Sequence, residues 1–570
     1  MRSAEQRNTT ITSKRNARDK ALGFAGPYLM NDHDVYTKAT ASEIVQRIAK
    51  GEWTSSQVLE AYIARSAMAQ AEANCLTEVL YEDARKRAKE LDAEFASTKT
   101  LRGPFHGVPV SVKDHYRIEG YDATVGFTAW ANNPGKKDAC LVSQLRAAGA
   151  IIFVKTNVPQ TMFAFECSNP LWGRTTNPWN DKYTCGGSSG GEGALLAMDG
   201  SAIGVGSDIG GSLRIPASYC GIYSLKPTAE RVSSIGTQGR SSTRPGFEAV
   251  RSSHGPLARS VQDCDLFSRT IFGQKDSSHQ NIPMPYQAVE LPSKLRFGYY
   301  LSDSMIESSP VCKRAVLETV SALRKQGHEC IEFTSPLNAS AMDVFLGLAS
   351  SDGYKKMLSH LDSDPMEDSL FLVTLGPRLP TFVRNLACWI AKTVLGDSLF
   401  ARFFSLAREK SVSEFTDLTD QRNKITAAWY EQVWDKYGFD GIITPVQSLP
   451  VIPHGGSTYL AALAAATIMY NVVDSPVGTI PVTRVNPDTD QLSTDFVAGA
   501  SGRSKVFDKR MYLGKNPVYD PQAMEGMPVG IQLVGKKWED EKVLAMMRVV
   551  DEALGPRGFG PGSWKSRKTQ

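Results

Sequence analysis

Covalent chemistry in this 570-residue chain would fall to serine and lysine. Gly186-Gly-Ser-Ser-Gly190 fits the G-x-S-x-G pattern of a nucleophile elbow, where a serine is exposed on a sharp turn between strand and helix. An elbow of that kind follows a strand and needs a downstream histidine. Here Trp179–Cys185 reads as a polar loop, and His254, His279, His328, His360 and His454 stand in no motif. Ser–Lys arrangements supply the base without histidine. Their lysine must be neutral near pH 7, which burial or a cationic neighbour can achieve. Lys113 fits best, because Gly107-Val-Pro-Val-Ser-Val112 delivers it at the end of an apolar strand. Its other reading is an ordinary strand-end lysine paired with Asp114. No H-E-x-x-H, P-loop or C-x-x-C pattern occurs, so neither a metal nor a cofactor is expected.

The elements that must hold these groups alternate between helix and strand. Thr40-Ala-Ser-Glu43 and Thr54-Ser-Ser-Gln57 are capping-box patterns ahead of amphipathic runs between about 40 and 97. Val108–Val112 and Ala150–Val154 read as strands, and Leu141–Ala148 as a helix. That order favours an α/β sheet covered on both faces. Gly186–Gly221 holds eleven glycines in 36 residues together with apolar stretches, which suits a buried scaffold better than a flexible linker. From 378 to 408, Phe382, Leu386, Trp389 and Ile390, then Leu395, Leu399, Phe403 and Leu406, recur at helical spacing. Five basic residues and one acid accompany them, as in an interfacial membrane helix pair. A core hairpin or a subunit interface would bury the same stripes.

Three blocks carry a family likeness. Gly107–Asp114 (GVPVSVKD), Gly186–Gly193 (GGSSGGEG) and Gly206–Thr228 (GSDIGGSLRIPASYCGIYSLKPT) resemble the successive signature blocks of the amidase signature family. Thr156–Leu196 is most similar to the eukaryotic, fungal-type fatty acid amide hydrolases within it, with acetamidase-type enzymes next. The likeness implies an α/β/α sandwich around a large twisted mixed sheet. It implies a domain over 40–555 with its core at 107–228 and a cap-like insertion at 378–408, between a polar basic tail (1–39) and a C-terminal tail (556–570). Carried over position by position, Ser212 is the nucleophile, Ser188 the bridging serine after a cis peptide, and Lys113 the base. Backbone N–H groups of Ile209, Gly210, Gly211 and Ser212 form the oxyanion hole. Met162, Phe163 and Phe165 line an acyl channel, and Ser189, Asp208 and Arg214 support the site, the last two as an ion pair.

Composition bounds the function. Hydrophobic residues at 42% and charged residues at 22% are ordinary globular usage, and a net charge of +4 gives no nucleic-acid signal. The N-terminus lacks the apolar core of a secretory signal, and the nine cysteines lie scattered, so an intracellular location is expected, cytoplasmic or peripheral to internal membranes. The basic first residues read as a disordered tail. The leading function is hydrolysis of fatty acid amides, such as N-acylethanolamines and primary fatty amides, by a homodimer attached peripherally to membranes through 378–408. A general amidase of short aliphatic or aryl amides is the alternative. The amidase subunit of a tRNA-dependent amidotransferase and an inactive binding protein fit less well.

Overall fold

The strand expected ahead of Lys113 is β2, Pro109–Lys113, and β1 before it is Leu76–Val79. They belong to an eleven-stranded sheet in a computed structural model that describes residues 3–238, 246–276 and 280–565. The remaining strands are β3 (Ile151–Thr156), β4 (Ile203–Asp208), β5 (Tyr223–Lys226), β6 (Ser253–Ala258), β7 (Arg296–Tyr299), β8 (Glu329–Glu332), β9 (Gly441–Pro445), β10 (Val477–Arg484) and β11 (Pro528–Val534). In space they run β1-β3-β2-β4-β6-β5-β10-β11-β9-β7-β8. Pairing is parallel for β3-β2-β4 and for β9-β7-β8, and antiparallel elsewhere, so the sheet is mixed.

The helices used below are α1 (Ala4–Leu22), α2 (Ser55–Ala73), α3 (Gly190–Ala197), α4 (Arg214–Cys220), α5 (Phe371–Arg378), α6 (Thr381–Thr393), α7 (Ser398–Leu406), α8 (Ala465–Val472) and α9 (Asp540–Leu554). Every residue of β2, β3, β4, β9 and β11 is buried, as strands covered on both faces must be. Alternation along β11 displays the two layers. Gln532 accepts from Arg214 of α4, while Leu533 points the other way and shares the space over Gly441 with Met546 of α9. Local signals agree with this arrangement. Thr54 and Gln57 close the expected capping box on α2, and Thr40 caps the helix Ala41–Ala49.

Two expectations about the ends are corrected. The basic stretch read as a disordered tail is helical: Ser3 and Gln6 form a capping box on α1, which docks through its charges. Lys14 bridges Glu78 and Asp122 at 2.5 and 2.8 Å, Arg15 donates to the Leu171 and Pro170 carbonyls at 2.8 and 3.0 Å, and Lys14 and Arg18 lie over the Trp172 ring. No residue of α1 is buried, so the sequence carried no apolar stripe to announce it. Near the other end, Trp564 is buried, with Nε1 donating to the Pro178 carbonyl at 3.0 Å. Residues 1–2 and 566–570 of those two stretches, and His279, lie outside the described residues.

The two helices of the 378–408 segment differ in burial. On α6, Phe382 is 75%, Leu386 55% and Trp389 58% exposed, and Val394 just beyond it 68%. On α7, Leu399 and Phe403 are buried instead, turned toward the body of the protein.

Candidate active site

Lys113 ends β2 wholly buried, and its Nζ donates to Ser188 Oγ at 2.7 Å, Ser207 Oγ at 3.1 Å and the Ser207 carbonyl at 3.4 Å. Burial pulls its proton affinity down to about 7, against the opposing pull of Asp208 and Glu192. A lysine so placed is partly neutral near physiological pH and can accept a proton from the serine it contacts. It is not paired with Asp114. That carboxylate instead takes the N–H groups of Thr124 and Val125 at 2.9 and 2.7 Å.

Ser188 follows a cis peptide from Gly187, in the loop that leads into α3. Ser189 joins this loop to the next: its N–H donates to the Ser212 carbonyl at 3.3 Å and its Oγ to the Ser207 carbonyl at 3.5 Å.

Ser212 lies on the turn between β4 and α4, 9% exposed, and lines a cavity. Asp208 organises that turn. Its carboxylate accepts the N–H of Gly211 at 2.7 Å and of Leu213 at 3.0 Å, the Arg214 fork at 3.0 Å on each oxygen, and Asn471 Nδ2 at 3.0 Å. The expected Asp208–Arg214 ion pair is therefore present and fully buried. Burial alone would raise the Asp208 carboxyl, but the guanidinium overcomes it and holds the group below the usual carboxylate range. Arg214 extends the brace to the Thr467 carbonyl, Asn471 Oδ1 and Gln532 Oε1. Gly211 has φ +128°, and a Cβ there would collide with Thr467 Oγ1 and approach Ile215 Cδ1 at 2.7 Å.

One expectation changes here. The Gly211 N–H, assigned above to an oxyanion hole, is committed to Asp208.

The cavity beside Ser212 measures about 150 Å3. Met162, Phe163 and Phe165 line it, with Phe345, Phe403 and Ile468 among the other walls, and no charged side chain stands among its described lining. Phe400, Phe403 and Phe404 of α7 also line it, as do Leu372 and Val373 of α5, so the second helix of the amphipathic insertion walls part of the cavity beside Ser212.

Among the described residues, no histidine hydrogen-bonds to Ser188 or Ser212. Burial, with help from Lys113, drives His254 down to about 3, and its Nδ1 lies 2.7 Å from the Tyr116 hydroxyl. His360 packs on Trp130 at 4.8 Å, and His454 meets the Asp181 carbonyl at 2.9 Å. Sequence reasoning passed over Ser207, the second hydroxyl on Lys113, and Glu192. Both lie inside motif blocks already singled out, Ser207 next to Asp208, but their contacts depend on strand register.

The family model for amidases matches residues 57–544. Fatty-acid amide hydrolase 1 of Sus scrofa is 32% identical over 532 residues, covering 92% of this chain and 87% of the pig protein. Acetamidase of Emericella nidulans is also 32% identical, over 535 residues, covering 91% and 90%. A solved fatty acid amide hydrolase superposes with a TM-score of 0.79 at 27% identity, covering 98% of this chain and 92% of the other.

Proposed function

The chain belongs to the amidase family, the amidase signature hydrolases, and from that premise we propose that it hydrolyses fatty acid amides through Lys113, Ser188 and Ser212 at a membrane surface. The observation that carries the reading is the cavity at Ser212, whose described lining is apolar or small side chains without a charge and is walled in part by α7 of the amphipathic insertion. Such a channel favours an acyl chain over a polar substrate, because each buried methylene contributes about 0.8 kcal/mol.

In the mechanism we attach to it, neutral Lys113 takes the proton of Ser188, which takes that of Ser212 as Ser212 Oγ attacks the amide carbonyl. The oxyanion is met by N–H groups of Ile209, Gly210 and Ser212, where one such donor is worth about 10²–10³ in rate. The proton returns along the same path to the amide nitrogen, because an amine anion leaves too poorly without it. Water then releases the acid from the Ser212 ester by the same relay. The apolar face of α6, with Arg378, Lys392 and Arg402 exposed around it, supports peripheral attachment to internal membranes. The assembly in this reading is a homodimer, which sedimentation velocity would register as twice the chain mass.

The alternative, an amidase of short aliphatic or aryl amides, is supported by the acetamidase relative at the same identity. Hydrolysis rates for saturated amides from acetamide to a C20 acylethanolamide, in wild type and Ser212→Ala, separate the two. Rates that climb with chain length and vanish in Ser212→Ala fit the lipid substrate. A preference for acetamide refutes it in favour of the short-amide enzyme.

A further inference from the structure

Glu192 is a buried acid for which the relay has no use. It stands in the first turn of α3, 0% exposed, and reaches across to the sheet. Its Oε2 accepts from Ser111 Oγ at 2.6 Å and its Oε1 from Thr156 Oγ1 at 2.7 Å. No ion pair joins it among the described residues.

Strand register turns these two contacts into an address. Ser111 lies two residues before Lys113 on β2, so both side chains rise from one face of the sheet. Thr156 is the cross-strand partner of Lys113 on β3. The carboxyl of Glu192 is thus held by the residue behind the lysine and the residue beside it. Space for it exists because Gly204, which pairs with Ser111 from β4, has no side chain: a Cβ there would overlap Glu192 Oε2.

We propose that Glu192 is a positioning residue for the base, its carboxyl offsetting the charge that Lys113 gains when it takes the relay proton. This rests on the reading of Lys113 as the base. An ammonium stripped of water needs a counter-charge nearby, and the Asp208 carboxylate is already engaged by Arg214. No proton is consumed. It moves from Ser212 through Ser188 to Lys113 and leaves on the amine.

The other ionisable groups packed around Glu192 are committed. From the segment after β2, Tyr116 is kept neutral by burial, as is Cys75 ahead of β1. On β6, His254 is uncharged at neutral pH, and so is buried His115, two residues beyond Lys113, which burial and then Lys113 push down. Lys155 of β3 lies 3.7 Å from Asp114, and Arg65 of α2 and Arg214 of α4 face Asp199 and Asp208. Glu192 itself is pushed up to about 7 by burial, against the pull of Ser111, Thr156 and Lys113, so its charge and that of Lys113 change over the same range.

The test is the pH profile of kcat/KM on one amide for wild type, Lys113→Ala, Glu192→Gln and Ser111→Ala. Glutamine keeps the shape and hydrogen-bonding reach of Glu192 without the charge. A lost carboxylate makes Lys113 harder to protonate, so in Glu192→Gln the acid limb moves lower by about one pH unit and plateau kcat drops about tenfold. Ser111→Ala removes one donor, favours the uncharged acid, and moves the limb the same way by less. Unmoved limbs in folded variants, judged by near-UV circular dichroism, overturn the proposal while leaving the base intact. If Glu192→Gln does not fold, Ser111→Ala decides. A wild type without an acid limb, or an active Lys113→Ala, removes the base and this proposal with it.

Discussion

Asp208→Asn tests whether one carboxylate shapes the nucleophile turn. Oδ1 accepts Gly211 N, Arg214 Nη2 and Asn471 Nδ2, and Oδ2 accepts Leu213 N and Arg214 Nε. An asparagine must present its NH2 group to one of these sets, so at least two donors face another donor, whichever way the amide turns. Arg214, wholly buried, also loses its counter-charge. Breaking a buried pair from one side costs about 3–5 kcal/mol. Loss of the Gly211 and Leu213 anchors frees the backbone on both sides of Ser212, and a misplacement of about 1 Å lowers turnover by about 10²-fold. The assay pairs urea unfolding with kcat, using near-UV circular dichroism to confirm that the protein assayed is folded. Adding Arg214→Met should recover part of the stability, with a coupling above about 1 kcal/mol, because the unpaired charge is gone. An Asp208→Asn protein within threefold of wild-type kcat, or a double variant whose losses simply add, would refute the account.

Other measurements reach different parts of the site. Because Lys113 is neutral only above about 7, kcat/KM should fall roughly tenfold per pH unit below that value and level off above it. Lys113→Arg, which stays charged throughout, should be inactive at every pH. Gly211→Ala meets both a φ of +128° and Thr467, so turnover should drop by about 10²-fold or more, read against Gly26→Ala, where a Cβ meets nothing within 4 Å. Replacing Leu386 and Trp389 of α6 with serine should reduce flotation with anionic liposomes several-fold, since both side chains are more than half exposed.

Some of the candidate site's residues could be named before any coordinates. The resemblance of three ordered motif blocks named Lys113, Ser188 and Ser212 together, the structure sets Lys113 against Ser188, and local signals such as the Thr54–Gln57 capping box stand as read. These depend on residue type and near neighbours, which a sequence displays directly. The docked helix α1 escaped notice because its anchors are charges meeting Glu78, Asp122 and the carbonyls of Pro170 and Leu171, partners far along the chain. The two amphipathic stripes of 378–408 look alike in sequence, since periodicity reports a face and not what covers it. Only the packing turns α7 inward to the cavity and leaves α6 bare. In the same way, Glu192 and Ser207 are unremarkable letters within a motif until strand register sets one against Ser111 and Thr156, the neighbours of Lys113, and the other against the Lys113 Nζ. The sequence alone displays which residue types and motif blocks are present. Which groups share a buried, low-dielectric volume, and therefore which charges they hold, was decided by the tertiary fold, because desolvation and cross-strand contact are properties of neighbours in space.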